Sequence, residues 1–143
     1  MMDVIERLQD KNDVNAHKLL LELEAKSSES SELYKYFDEF LKLIYHKSSF
    51  VRVRGFRLCC AQAKWDIENK IEKHIDKLLM MLDDDKPTAV RQCLAALHVV
   101  LLHKSDLNTA IESKLEIMNL SKYKDSMSPL IKKDITELRK MIN

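Results

Sequence analysis

A single glycine, Gly55, stands in 143 residues, with only two prolines, Pro87 and Pro129. β-Hairpins draw on both residue types at their turns, so a chain this poor in them is not built of hairpins. One glycine cannot form a phosphate-cradling loop, and no serine has the flanking glycines of a nucleophile elbow. His-Glu pairs are missing too: His17, His46, His74, His98 and His103 are followed by Lys, Lys, Ile, Val and Lys. Long apolar runs are absent; Gln92 to Leu102 is about half of what a bilayer requires. The opening Met1-Met2-Asp3-Val4-Ile5-Glu6 is acidic and unlike a signal peptide. With 45% hydrophobic and 33% charged residues, disorder is excluded as well. An all-helical, packed, soluble chain is what these exclusions leave.

Three cysteines, Cys59, Cys60 and Cys93, make an odd count in a chain long enough to fold without staples, and adjacent cysteines bridge poorly. They are expected to be buried, reduced thiols in a cytoplasmic protein. Cys93, His98 and His103 are spaced by fives, a rotation of about 140° per step on a helix, so they do not converge on a metal. The triplet Asp83-Asp84-Asp85 lacks the alternating oxygen ligands of a calcium loop. No catalytic residue, cofactor or metal is indicated.

Net charge is +1, but its distribution is uneven. Residues 1–39 hold ten acids and five bases. Residues 40–64 hold six bases (Lys42, Lys47, Arg52, Arg54, Arg57, Lys64) and no acid. A basic segment therefore follows an acidic one.

Capping residues and apolar spacing predict about eight helices. Asp13 is read as the cap of a helix ending near Ser27-Ser28-Glu29-Ser30-Ser31. A second pattern runs from Glu32 through Leu33, Tyr36, Phe37, Phe40, Leu41 and Ile44. Ser48 and Ser49 open a third, with stripe Val53, Phe56, Cys60 and Ala63. Asp66 restarts the chain into Ile67, Ile71, Ile75, Leu78, Leu79 and Leu82. Pro87 suits a first helical position, before a central helix, Val90 to Leu102, that is apolar on nearly all sides. Asp106 is expected to cap Leu107 to Met118, and Ser128-Pro129 to open Leu130 to Ile142.

The chain also repeats. Val53-Arg54-Gly55-Phe56-Arg57-Leu58-Cys59-Cys60 and Val90-Arg91-Gln92-Cys93-Leu94-Ala95-Ala96-Leu97 lie 37 residues apart, and Leu41, Ile44 and Tyr45 fall on Leu78, Met81 and Leu82 at the same offset. Weaker copies begin at Val14, 39 residues upstream, and at Ile131, 41 residues downstream. The segment Leu78-Leu79-Met80-Met81-Leu82-Asp83-Asp84-Asp85-Lys86-Pro87-Thr88-Ala89-Val90-Arg91 resembles a unit of the HEAT-repeat, armadillo-like family: a leucine-rich first helix, an acidic turn with proline, then Val-Arg. The resemblance implies a short right-handed α–α superhelix of about four helical hairpins, with units of roughly 1–29, 30–65, 66–104 and 105–143. It also implies that Arg91 pairs with the acidic turn at Asp83, Asp84 or Asp85. Arg54 has no acid in its own turn, which frees it for an outside anion or a neighbouring unit's carboxylate.

On a helix after Ser49, about 100° per residue brings Arg57, Arg54 and Trp65 within roughly 80° of one another, with Lys64 at the edge. Arginine and tryptophan are the residues of binding hot spots, so Arg54, Arg57, Lys64 and Trp65 are the candidate partner site. Two readings of that patch stand side by side. In one it is structural, Trp65 packing on a neighbouring unit and the arginines pairing with its acids. In the other it binds a partner. The expected activity is a non-catalytic scaffold whose concave face takes another protein, one with an acidic surface. The alternative is nucleic-acid binding, by resemblance to HEAT-like alkylpurine DNA glycosylases, for which Trp65-Asp66 is the one comparable pair.

Overall fold

The computed structural model describes residues 2–142, and among these it is 78% helical with no strand. Nine α-helices pack together: α1 (Met2–Leu8), α2 (Asp13–Glu29), α3 (Phe37–Lys42), α4 (Ser49–Ala61), α5 (Lys70–Lys73), α6 (Ile75–Leu79), α7 (Pro87–His103), α8 (Asn108–Ile117) and α9 (Ser128–Ile142). The expected all-α class therefore holds. Two of the expected helices are broken. The pattern from Glu32 to Ile44 is α3 between two short 3-10 turns, Tyr34–Tyr36 and Leu43–Tyr45. The pattern after Asp66 is interrupted at His74, whose N–H is shared between the carbonyls of Lys70 and Ile71, and it closes in a 3-10 turn, Met80–Asp83.

Helix starts follow local chemistry, with shifts of a residue or two. Asn12, not Asp13, caps α2, its side chain accepting the N–H of Asn15 at 3.1 Å. Pro87 occupies the first turn of α7, where its missing N–H costs nothing. Asp66 accepts the N–H groups of Lys70 and Ile71 at 2.8 and 2.9 Å and so fixes the start of α5. A 3-10 turn, Ser105–Leu107, precedes α8, and no side chain caps that helix, Asp106 included.

The long helices line up in sequence order: α2 packs on α4, α4 on α7 and α7 on α9. Their cross-contacts advance together. Arg54, Arg57 and Gln62 of α4 and its C-cap reach Asp13, Glu24 and Ser27 of α2 in that order. Arg91 and His98 of α7 reach Asp134 and Met141 of α9. Neighbouring helices of this layer therefore run in the same direction. Behind them α1 packs on α2, α3 on α4, the Met80–Asp83 turn on α7, and α8 on α9.

The core is centred on α7, whose Val90, Cys93, Leu94, Leu97, Val100 and Leu101 are all buried, Leu97 to 1%. Gly55 has an ordinary helical conformation, so its place is explained by space. A Cβ there would lie 2.6 Å from both Leu43 Cβ and Phe40 O, which is how closely α3 and the turn after it approach α4.

Candidate binding site

The four residues singled out by charge and composition lie together, but most of their chemistry is spent inside the fold. Arg54 is 3% exposed; its guanidinium donates to Leu8 O at 2.8 Å and pairs with Asp13. Arg57 is half-buried and forks onto Glu24, with Nε–Oε2 3.0 Å and Nη2–Oε1 2.7 Å, while Nη1 reaches Gln92 Oε1 at 3.1 Å. Lys64 and Trp65 sit past the end of α4, in a 3-10 turn, so the helical-wheel extrapolation to Trp65 does not apply. Both cap α2: Trp65 Nε1 donates to Ser27 O at 2.6 Å and Lys64 Nζ to Ser28 O at 2.9 Å. Those carbonyls belong to the last turn of α2, where no intrahelical donor remains.

The uneven charge of the sequence has an internal explanation. Basic α4 lies against acidic α2, and Arg54 and Arg57 are matched by Asp13 and Glu24. Arg52 forks onto Asp84 at 2.9 and 3.2 Å. Arg91 does not pair with Asp83, Asp84 or Asp85 as the family pattern implies; it faces α9 and forks onto Asp134 at 2.7 and 3.3 Å. The acidic turn instead holds Arg52 through Asp84 and Lys114 through Asp83.

Trp65-Asp66 is likewise part of the frame. The Asp66 side chain is fully buried and accepts from Tyr34 Oη at 2.6 Å and from two backbone N–H groups, with Lys104 Nζ 3.2 Å away. Burial pushes its carboxyl upward in pKa, but hydrogen bonds from Tyr34, Ile71, Lys70 and Lys104 outweigh that and hold it below the ordinary value. A carboxylate so fully engaged has no free oxygen for a substrate. Burial drives the thiols of Cys59, Cys60 and Cys93 well above their ordinary pKa, which disfavours the nucleophilic thiolate.

A polar hollow opens beside Lys64, Trp65 and Asp66, and along α4 runs a trough. Its floor is α4 and its walls are α2 and α7. At one end a hollow of about 380 Å³ is bounded by His17 and Leu20 of α2, Phe50 and Val53 of α4, and Thr88 and Gln92 of α7. At the other a hollow of about 420 Å³ is bounded by Glu24 and Ser28, by Cys60, Ala61 and Lys64, and by Ala96, Val99, Leu102 and His103. Arg57 lines both, and its bonds to Glu24 and Gln92 make a strut from wall to wall between them. The second hollow is mostly apolar, with Val99 and Leu102 of its wall 39% and 69% exposed. Phe50 stands 60% exposed at the opposite end.

Phe50, Ala61, Ala96, Val99 and Leu102 were not singled out by charge or motif. For the α7 residues among them the signal is a surplus of apolar residues on that helix; Phe50 and Ala61, at the two ends of α4, carry none. Ala89, Val90, Cys93, Leu94, Leu97, Val100 and Leu101 make up its buried stripe and Ala96 packs against the core from the edge, which leaves Ala95, Val99 and Leu102 as exposed apolar residues. Among the described residues no group of three or more His, Cys, Asp or Glu side chains could hold a metal, and no helix is long and apolar enough to cross a membrane. The chain matches no protein-family model, no curated protein and no solved structure.

Proposed function

We propose that the chain is a short HEAT-like solenoid, a right-handed superhelix of four hairpins, that acts as a non-catalytic scaffold and takes a protein partner in the trough of its second-helix layer. The observation that carries this reading is the placement of exposed apolar side chains. Phe50 borders the first hollow of the trough and Val99 and Leu102 the second, on either side of the Arg57 strut, and an apolar surface rimmed by polar groups marks an interaction site. Helices of equivalent position running the same way in sequence order support the repeat architecture, because each hairpin alone cannot bury its stripe. Of the sequence-chosen residues, Arg54 and Arg57 line the first hollow and Arg57 and Lys64 the second; Arg54, 3% exposed and bonded to Leu8 and Asp13, acts through structure. Both carboxylates lining it are held by arginines, whereas Lys64 bonds the Ser28 carbonyl and lies over the Trp65 ring without a carboxylate partner among the described residues, so its charge favours an acidic partner surface. Three buried free cysteines suit a reducing compartment such as the cytoplasm.

Photocrosslinking tests this directly. p-Benzoylphenylalanine is placed in the trough, at Val99 or Phe50, or at exposed apolar positions away from it, Met80 or Ile117, in cells that make the protein. The reading expects a discrete, nuclease-resistant protein adduct from the trough positions alone. Equal adducts from all four, or none from the trough, would refute it.

A further inference from the structure

We infer that the trough accepts an amphipathic helix of the partner, one that presents two apolar side chains about two turns apart and a carboxylate beside Lys64. This rests on the scaffold reading above and specifies what that site holds.

The two hollows set the spacing. Their floors are marked by Val53 and Ala61 of α4, eight residues apart and therefore about 12 Å along the axis at 1.5 Å per residue. The Arg57 strut divides them, so an occupant must place one group on each side of it. On a helix that distance separates residues i and i+7 or i+8, which share a face.

The walls choose a helix over an extended peptide. α2, α4 and α7 satisfy their backbone groups internally and offer no strand edge, so an extended segment laid among Ala61, Ala96 and Val99 gains no backbone hydrogen bonds from the trough. A helix brings its backbone bonds with it, and laying its apolar face into a groove is an established mode of recognition. Phe50 is the one aromatic among the residues that bound the two hollows, too few for the aromatic-lined groove that takes proline-rich ligands.

Charge sets the flank. The carboxylates that line the trough, Asp13 and Glu24, are neutralised by Arg54 and Arg57. Lys64 is exposed and bonded to the neutral Ser28 carbonyl, at the rim of the apolar hollow. A partner helix seated there meets one uncompensated cation, and a carboxylate matches it.

The test is a displayed library of random 16-residue peptides selected on the protein, the enriched peptides then being measured against Leu102→Asp. Leu102 is 69% exposed, so the change does not open the core; an unaltered melting curve verifies this, and Leu102→Gln serves where the aspartate disturbs the helix end. The inference expects enriched peptides with apolar residues at i and i+7 or i+8 and an excess of Asp and Glu. Their affinity falls about tenfold or more on the Leu102 variants, the scale of an interface hot spot. Lys64→Glu weakens them several-fold, and a Glu→Lys exchange in the peptide restores binding. Enriched peptides that depend on Leu102 but alternate apolar and polar residues would overturn the helix while leaving the scaffold reading in place. Peptides indifferent to Leu102 would overturn both. A labelled 20-nucleotide single strand or duplex bound at this face with steep salt dependence would replace the partner by nucleic acid. A concentration-dependent dimer lost in Leu102→Asp would replace it by a second copy.

Discussion

Gly55→Ala separates the packing argument from simple helix propensity, because the two predict opposite signs. In the interior of a free helix the exchange is favourable by about 1 kcal/mol. Here the added Cβ falls 2.6 Å from Leu43 Cβ and from Phe40 O, against 3.4–4 Å for ordinary contact. One of those atoms is backbone, so no side-chain rotation relieves it, and α3 must withdraw from α4 by most of an ångström. Phe40 and Phe56, both fully buried, lose close packing when it does. Overpacking costs about 1–3 kcal/mol, and the upper part of that range, about 2–3 kcal/mol, applies where backbone must move. Set against the propensity gain, the net is a loss of about 1–2 kcal/mol. For a chain of this length that is a fall in Tm of about 3–8 °C. Urea unfolding followed by far-UV circular dichroism measures it, with an unchanged slope showing that the native state is intact. A Gly55→Ala protein more stable than its parent would refute the close approach of α3 to α4.

Leu97→Ala, at the centre of α7, should cost about 2–5 kcal/mol in the same assay, and a Tm within a degree of the parent would place Leu97 outside the core. Arg54→Glu should destabilise by about 3–5 kcal/mol, because it sets a buried carboxylate beside Leu8 O and Asp13; a stable, fully helical variant would show that Arg54 is no structural tie. Asp66 is held below its ordinary pKa, so its contribution is complete above the unfolded value of about 4 and is lost as pH falls through the lower folded value. Asp66→Asn should therefore be less stable at neutral pH yet lose less stability below about pH 4, and parallel acid-unfolding curves for the two proteins would contradict that.

Much of the fold is legible in the sequence because apolar spacing reports burial. All six expected core residues of α7 are buried, joined by Ala89 one residue before the expected helix, and Pro87 and Asp66 mark helix starts by chemistry that operates within a few residues. The break at His74 is not legible, and neither is the one around α3, which answers to a neighbouring element: α3 and the turn after it lie against the Gly55 surface of α4. The lone glycine is the trace of that contact. The candidate site was only half legible. Charge segregation in the sequence does mark a contact, but the contact is between α4 and α2 of this same chain. Arg91 illustrates the same limit, since its carboxylate, Asp134, lies 43 residues away on α9. Val99 and Leu102 carry the stronger signal, an apolar surplus that becomes visible once the buried face of α7 is known.

The trough exists only if α2, α4 and α7 lie side by side and run the same way. Pairs of nitroxide labels measured by double electron–electron resonance test this, in a background where Cys59, Cys60 and Cys93 are replaced by serine or alanine. Phe50 and Thr88 mark the first turns of α4 and α7, and Lys64 and His103 mark their far ends. The account predicts short distances for Phe50–Thr88 and Lys64–His103, with Phe50–His103 and Lys64–Thr88 longer, approaching the roughly 20 Å length of α4. The reverse pattern, with the crossed pairs short, would mean antiparallel neighbours and would remove the trough altogether.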